Sequence, residues 1–171
     1  METWDAITAR RNVREYSDRP IANVDLDRIL EAGRRSPSSM NEQPWDFIAV
    51  TQRVWLEALA DVWRYGTHIG GAAAAIALLS PTSEDADARE TFAFDLGQAA
   101  MGMMLAAADL GIGSCHSAIG DQEVARGILG FPNDRECVMI LSLGYPARWP
   151  LAPVASPNRR AFDDIVHRER W

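Results

Sequence analysis

The 171-residue chain contains no lysine; all 17 of its basic residues are arginine. That absence excludes mechanisms built on an amine nucleophile, Schiff-base chemistry among them. It also excludes the lysine-bearing phosphate loop of nucleoside triphosphatases. Cysteine is nearly as scarce. The two thiols, Cys115 and Cys137, make no disulfide framework, and no CxxC or Cys/His spacing suits zinc, so no metal site is expected. No apolar run approaches the ~20 residues that span a bilayer. The opening segment METWDAITARR is charged and lacks the apolar core of a signal peptide. The expectation is a cytoplasmic protein with reduced thiols.

Positive charge is the minority sign. The 24 acidic residues give a net charge of -7, which argues against a nucleic acid or an anionic membrane as partner. What is abundant is ordinary globular material. Hydrophobic residues make up 47% of the chain, enough for one domain with a substantial core.

The patterning predicts alternating helices and strands. Residues 3–10 read as a short helix, followed by the arginine-dense turn Arg10-Arg11-Asn12-Val13-Arg14. Asn23 reads as a helix cap with Asp25 and Asp27 in the first turn, and Leu26, Ile29, Leu30 and Gly33 share one face. Ser36-Pro37 stops that helix and opens a polar loop to Pro44. Residues 45–51 read as a strand, 53–65 as an amphipathic helix, 72–79 as an interior strand and 81–91 as an exposed acidic loop. Residues 92–110 are apolar nearly all round and predict a helix buried on every side. Asp121 caps a helix to about Leu129, ended by Gly130, and 138–145 is another apolar strand. Pro146, Pro150, Pro153 and Pro157 then forbid helix and central strand, which leaves an extended arm over 146–171. No repeat or interior linker divides residues 1–171, so a single domain is expected.

Several residue sets could carry chemistry. Three arginine clusters, Arg10/Arg11/Arg14, Arg34/Arg35 and Arg159/Arg160, offer guanidinium forks to a small anion, or simply pair with surface carboxylates. Arg34 and Arg35, at a helix end, read as surface. The loop Pro37–Gln43 concentrates hydroxyls and amides able to read the edge of a flat heterocycle, or to shape a turn. Gly111-Ile-Gly113 follows a helix and has His116 where a third glycine belongs, so it is no dinucleotide fingerprint. Three histidines could join a Ser/His/Asp set, but no GxSxG elbow exists. Cys115 reads as a small buried apolar residue rather than an activated thiol.

Taken in order, the segments Arg-Arg-Asn-Val-Arg (10–14), Pro-Ser-Ser-Met-Asn-Glu-Gln-Pro-Trp (37–45), Gly-Ile-Gly-Ser-Cys (111–115) and Leu-Gly-Tyr-Pro (143–146) resemble the nitroreductase family of FMN flavoproteins. The closing His167-Arg-Glu-Arg-Trp171 also resembles the end of short members. The resemblance implies an α+β fold, a three-layer sandwich with helices on both sides of a mixed, mainly antiparallel sheet. It implies an intertwined homodimer with FMN at the interface.

By the same resemblance, Arg10, Arg11, Asn12 and Arg14 hold the phosphate, ribityl chain and one edge of the flavin. Arg159, with Arg160 beside it, matches a C-terminal phosphate-binding arginine. Pro37, Ser38, Ser39, Met40 and Asn41, with Gln43 near them, arrive from the other subunit and pack on the ring. Ser117, Ala118 and Ile119 approach its reactive nitrogen. NAD(P)H serves as a transient donor, and an electron-poor acceptor such as a nitroaromatic or quinone is reduced. No side chain is required as acid or base, so no catalytic residue is named. The sequence departs from short relatives at 116–120, where His116 replaces an aromatic and Ala118 a glycine, and it lacks the lid helices of longer members. The resemblance leaves three alternatives: a flavin-binding or storage protein, an offshoot with different flavin chemistry, and a flavin-free dimeric scaffold.

Overall fold

The computed structural model describes residues 1–171. In chain order the elements are α1 (Thr3–Ala9), α2 (Asn23–Arg34), β1 (Asp46–Val50), α3 (Arg53–Ala60), β2 (Ala74–Pro81), α4 (Ala86–Asp109), β3 (Gly113–Ser117), α5 (Gln122–Leu129) and β4 (Arg135–Gly144). Short 3-10 turns lie at Ser39–Asn41, Thr67–Ile69 and Phe162–Asp164. The four strands form one sheet in the order β1-β2-β4-β3, every neighbouring pair antiparallel. The parallel character expected of a mixed sheet is confined to one bridge, between Asn12 and Ser114.

The central strand β2 is buried along both faces, and its alternation sorts the core into two halves. Ile76 and Leu78, with Leu141 and Leu143 from β4, meet Leu26 and Ile29 of α2 and Leu96, Met103 and Ala107 of α4. On the opposite face Ala75, Ala77, Leu79 and Ile140 meet Leu56 and Leu59 of α3 and Ala125 of α5. Each fully buried Leu or Ile contributes about 1.5–3 kcal/mol. The result is the three-layer α+β sandwich. Gly33 lets α2 approach α4 closely, since a Cβ there would lie 2.1 Å from Met103 Cε.

Some element ends differ from the sequence reading, each for a local reason. Asn23 lies inside α2; Ala22 occupies the cap position and makes no side-chain cap bond. The helix at 53 stops at Ala60, where the Asp61 N–H turns back to Ala58 and Leu59 in a tighter turn. Residues 86–91, expected in an acidic loop, are the first turns of α4. The Asp85 carboxylate caps the Asp87 N–H at 3.1 Å, and acidic residues suit a helix N-terminus. The same helix is not buried all round: Phe94 is 69% and Met101 40% exposed, seven residues apart on one open face. Strand β3 lies in a segment for which no strand was anticipated, because its five residues, GSCHS, carry no β-branched side chain. Asp121 caps α5 as expected, and Gly130 closes it at φ 73°.

Beyond Pro150 the chain has only the turn at Phe162–Asp164, and residues 152–171 are exposed throughout. No helix is long and apolar enough to cross a membrane.

Candidate functional site

The arginine turn is built onto the open edge of the sheet. After α1 the chain crosses the end of β3, where the Val13 N–H donates to the Ser114 carbonyl at 2.9 Å. It then runs beside residues 145–147, with Ser17 N–H donating to Tyr145 O at 2.8 Å and Ala147 N–H to Glu15 O at 3.0 Å. Two facing glycines make this approach fit. Gly113 and Gly144 pair across β3 and β4. A Cβ on the first would come within 2.7 Å of Val13, and on the second within 2.7 Å of Tyr16.

Between the turn and residues 146–149 lies a cleft of about 320 Å³ lined by Arg11, Asn12, Val13, Arg14, Glu15 and Pro146–Trp149. Arg148 pairs with Glu15 at 2.8 Å, which leaves Arg11 and Arg14 as the cleft's uncompensated charges. Arg11 Nη2 donates to the carbonyls of Trp149 and Pro150, both at 3.0 Å, and so ties the C-terminal arm to the turn. Arg10, which precedes the cleft residue Arg11 in the chain, carries the one buried side-chain nitrogen or oxygen of the protein without a partner, its Nε. An unpaired buried N–H costs about 1–3 kcal/mol and marks a place where a hydrogen-bond acceptor is missing. The donor set is therefore cationic, forked and unsaturated, and it fits the phosphate of a flavin nucleotide.

The polar loop stands elsewhere. Asp95 of α4 is 1% exposed and accepts the Ser39 N–H through both carboxylate oxygens, at 3.2 and 3.0 Å. Ser38 Oγ accepts the Gln43 N–H at 2.9 Å. Between these anchors Met40, Asn41 and Gln43 adopt left-handed backbone at φ 49°, 58° and 53°. Such strain persists only where surrounding contacts enforce it, and it clusters at binding sites. Pro37, Ser38 and Ser39 line a shallow depression against α4. Asp95 was missed in the sequence, although an isolated acid in an otherwise apolar helical run was its signal.

One chain does not bring the loop and the arginines together. The loop enters the sheet at Asp46, opposite Leu79, whereas the arginine turn meets Ser114, in the row of Leu143 and Ala74. Five strand positions and three strand spacings separate them, on the order of 20 Å.

Ser117, Ala118 and Ile119 close β3. Ser117 is buried, Ala118 exposed and Ile119 half-buried, and the Gly120 N–H donates to Val62 O at 3.1 Å. His116 points outward while Cys115 is fully buried. Burial pushes both thiols up, Cys137 to about 12, so neither is an activated nucleophile. Arg159 and Arg160 lie in the exposed arm and donate to backbone carbonyls there, Asn158 at 2.7 Å and Asp164 at 2.8 Å; they do not join the cleft. Arg34 and Arg35 both grip Glu31, which holds that carboxyl down to about 2, in keeping with a surface role.

The chain is similar to several known proteins. The family model described as "Nitroreductase family" matches residues 7–68 and 56–145. A protein of Archaeoglobus fulgidus, provisionally named an NADH dehydrogenase/NAD(P)H nitroreductase, is 33% identical over 99% of both chains. An NADH dehydrogenase of Thermus thermophilus is 28% identical, covering 84% of this chain and 87% of its own. Among solved structures, an FMN-dependent nitroreductase of Clostridium difficile superposes with a TM-score of 0.83 at 25% identity, over 97% of this chain and 98% of that one.

Proposed function

This chain belongs to the nitroreductase family, whose members are FMN-dependent NAD(P)H oxidoreductases, and we propose that it passes reducing equivalents to an electron-poor small molecule such as a nitroaromatic or a quinone. FMN, when bound, supplies the hydride chemistry. The chain supplies grip, orientation and charge. Arg10, Arg11 and Asn12 hold the phosphate and ribityl end. Arg14 offers its cation to the edge where negative charge develops on reduction. Ser117, Ala118 and Ile119 border the reacting side. Pro37, Ser38, Ser39, Met40, Asn41 and Gln43 cover the site of a second copy, and Arg159 and Arg160 add phosphate contacts once the 146–171 arm of this single domain docks.

The observation that carries this reading is the cleft that holds Arg11 and Arg14 without compensating acids, together with the unpartnered, buried Nε of Arg10, the residue preceding Arg11 in the chain. The homodimer is supported by the ~20 Å between the two halves of the site. It is supported too by the open apolar face of Phe94 and Met101. The two buried thiols suit the reducing cytoplasm.

The test is the visible spectrum of protein purified without added flavin, followed by anaerobic NADH and NADPH. A yellow protein bleached by either donor is the expected result, and nitroaromatic or quinone then restores the colour. A yellow protein that neither donor bleaches points to flavin storage or different flavin chemistry. A folded, colourless protein that also refuses added FMN overturns the proposal.

A further inference from the structure

Behind the arginine turn lies a polar network inside an otherwise apolar layer. Ser142 of β4 is fully buried on the face that carries Ala75 and Ile140, a position whose neighbours call for a hydrophobic side chain. Its Oγ lies 2.7 Å from Tyr16 Oη, 3.1 Å from the Cys115 carbonyl and 2.8 Å from His68 Nδ1. Tyr16 Oη lies 2.6 Å from the Val13 carbonyl. The network therefore joins the arginine turn, β3, β4 and the 3-10 turn at Thr67–Ile69 at one point. A Ser–His pair invites comparison with a nucleophilic dyad, but no carboxylate orients the ring and the serine is sealed from substrate.

Counting hydrogens favours one imidazole tautomer. Four oxygen–oxygen contacts, Tyr16 Oη to the carbonyls of Val13 and Ser142, Tyr16 Oη to Ser142 Oγ and Ser142 Oγ to the Cys115 carbonyl, share only the two hydroxyl hydrogens of Tyr16 and Ser142. A hydroxyl hydrogen spent on His68 would leave one more of these contacts empty. The arrangement that fills the most contacts has Nδ1–H donating to Ser142 Oγ, which leaves the lone pair of the neutral ring on Nε2. Nε2 makes no hydrogen bond, yet it is not sealed off, because Arg10 Nε is the sole buried orphan. His68 as a whole is 7% exposed, so that opening is narrow. The charged and titratable groups that face the ring are Arg14, from the arginine turn, and His116, from β3; the Arg14 guanidinium also lies beside the Cys115 thiol. Burial first, then the Arg14 guanidinium and the neighbouring His116, push the ring's pKa below the ordinary 6.5, which favours its neutral form.

A fixed acceptor beside a guanidinium is a two-part reader. Arg14 can only donate, and His68 Nε2 can only accept. A flavin nucleotide presents both complements, carbonyl oxygens together with an imide N–H and ribityl hydroxyls. We infer that His68 is a further flavin-binding residue, whose Nε2 accepts a hydrogen bond from an N–H or O–H of the flavin nucleotide that Arg14 holds, with Ser142 and Tyr16 positioning the ring. The inference rests on the FMN reading above.

The test is FMN affinity, followed by quenching of flavin fluorescence in flavin-stripped protein between pH 5.5 and 8. His68→Phe is expected to bind FMN about three- to tenfold more weakly at pH 7.5, the loss that accompanies one missing hydrogen bond. Wild-type affinity should fall more steeply toward acid pH than that of His68→Phe, because a proton on Nε2 removes the acceptor. The comparison between the two proteins cancels the titration of the FMN phosphate itself, near pH ~6. Ser142→Ala, which releases Nδ1, should weaken binding in the same direction and by less, and it serves if His68→Phe does not fold. A folded His68→Phe, or failing that Ser142→Ala, with wild-type affinity and slope overturns the inference while leaving the FMN reading intact. A wild-type protein that binds no FMN overturns that reading instead.

Discussion

The Asp95 carboxylate reaches across from α4 and takes the Ser39 backbone N–H between its two oxygens, at 3.2 and 3.0 Å. That single clamp, with Ser38 Oγ on the Gln43 N–H, keeps three left-handed residues in place over five positions. Left-handed backbone costs a non-glycine residue about 1–2 kcal/mol, so a loop carrying three such residues relaxes once an anchor goes.

Asp95→Ala should therefore destabilise the protein by about 1–3 kcal/mol, the cost of stranding a buried donor. It should also open residues 37–43 to protease. Asp95→Asn keeps one acceptor oxygen and should lose less than half as much. Urea unfolding and the rate of limited proteolysis measure both effects. Equal cleavage rates in wild type and Asp95→Ala would show that the loop holds its shape without the clamp.

Arg10 should behave oppositely in stability and in binding. Its Nε is buried without a partner in the flavin-free chain, so Arg10→Gln removes an unsatisfied donor and should leave flavin-free stability unchanged or slightly higher. The same change removes a charged phosphate contact and should weaken FMN binding by about 1.5–3 kcal/mol. Thermal melts with and without saturating FMN separate the two. A variant that loses stability without flavin and none of its flavin response would assign Arg10 to the fold.

Stability should also fall on mild acidification, with His68 as a named contributor. Its folded pKa lies below the unfolded value of 6.5. As pH drops from 6.5 toward the folded pKa the unfolded chain takes up the proton first, so the unfolded state gains. Above 6.5 both states are neutral and the contribution is flat. Melting temperatures measured from pH 8 to 5 should decline below about 6.5 in wild type and decline less in His68→Phe. Parallel curves would remove His68 from the account.

How much of this was legible in the sequence follows from what kind of signal each feature leaves. Strand β2 and helix α5 were readable because burial on two faces leaves an unbroken apolar run and a cap leaves Asp121 at a fixed offset. Strand β3 was not, because its extended shape is imposed by pairing with β4 rather than by its own residues. The start of α4 was hidden by acidic residues that favour a helix N-terminus as readily as a loop. In the site, the arginine turn was visible by charge density. The Tyr16–Ser142–His68 network was not, since its members lie in three separate segments and meet only through the sheet. The separation of the arginine turn from the 37–43 loop is likewise a property of topology alone.

That separation carries the last prediction. If the loop of one chain completes the flavin site of another, a mixed dimer of two different variants regains one whole site. Arg10→Gln damages the phosphate end of its own chain's site. A double change, Met40→Glu with Asn41→Glu, damages the loop, and hence the partner's site. In the mixed dimer both lesions then fall on one site, and the other has an intact turn and an intact loop. Each homodimer should bind FMN weakly at both sites, whereas the mixed dimer, isolated through two different tags, should bind one FMN tightly per dimer. Were the turn and the loop of a single chain to serve the same flavin, each site of the mixed dimer would carry one lesion and no tight site would appear. The stoichiometry of tight FMN in the doubly tagged dimer thus reads out whether the ~20 Å between the two halves is closed by a second copy of the chain.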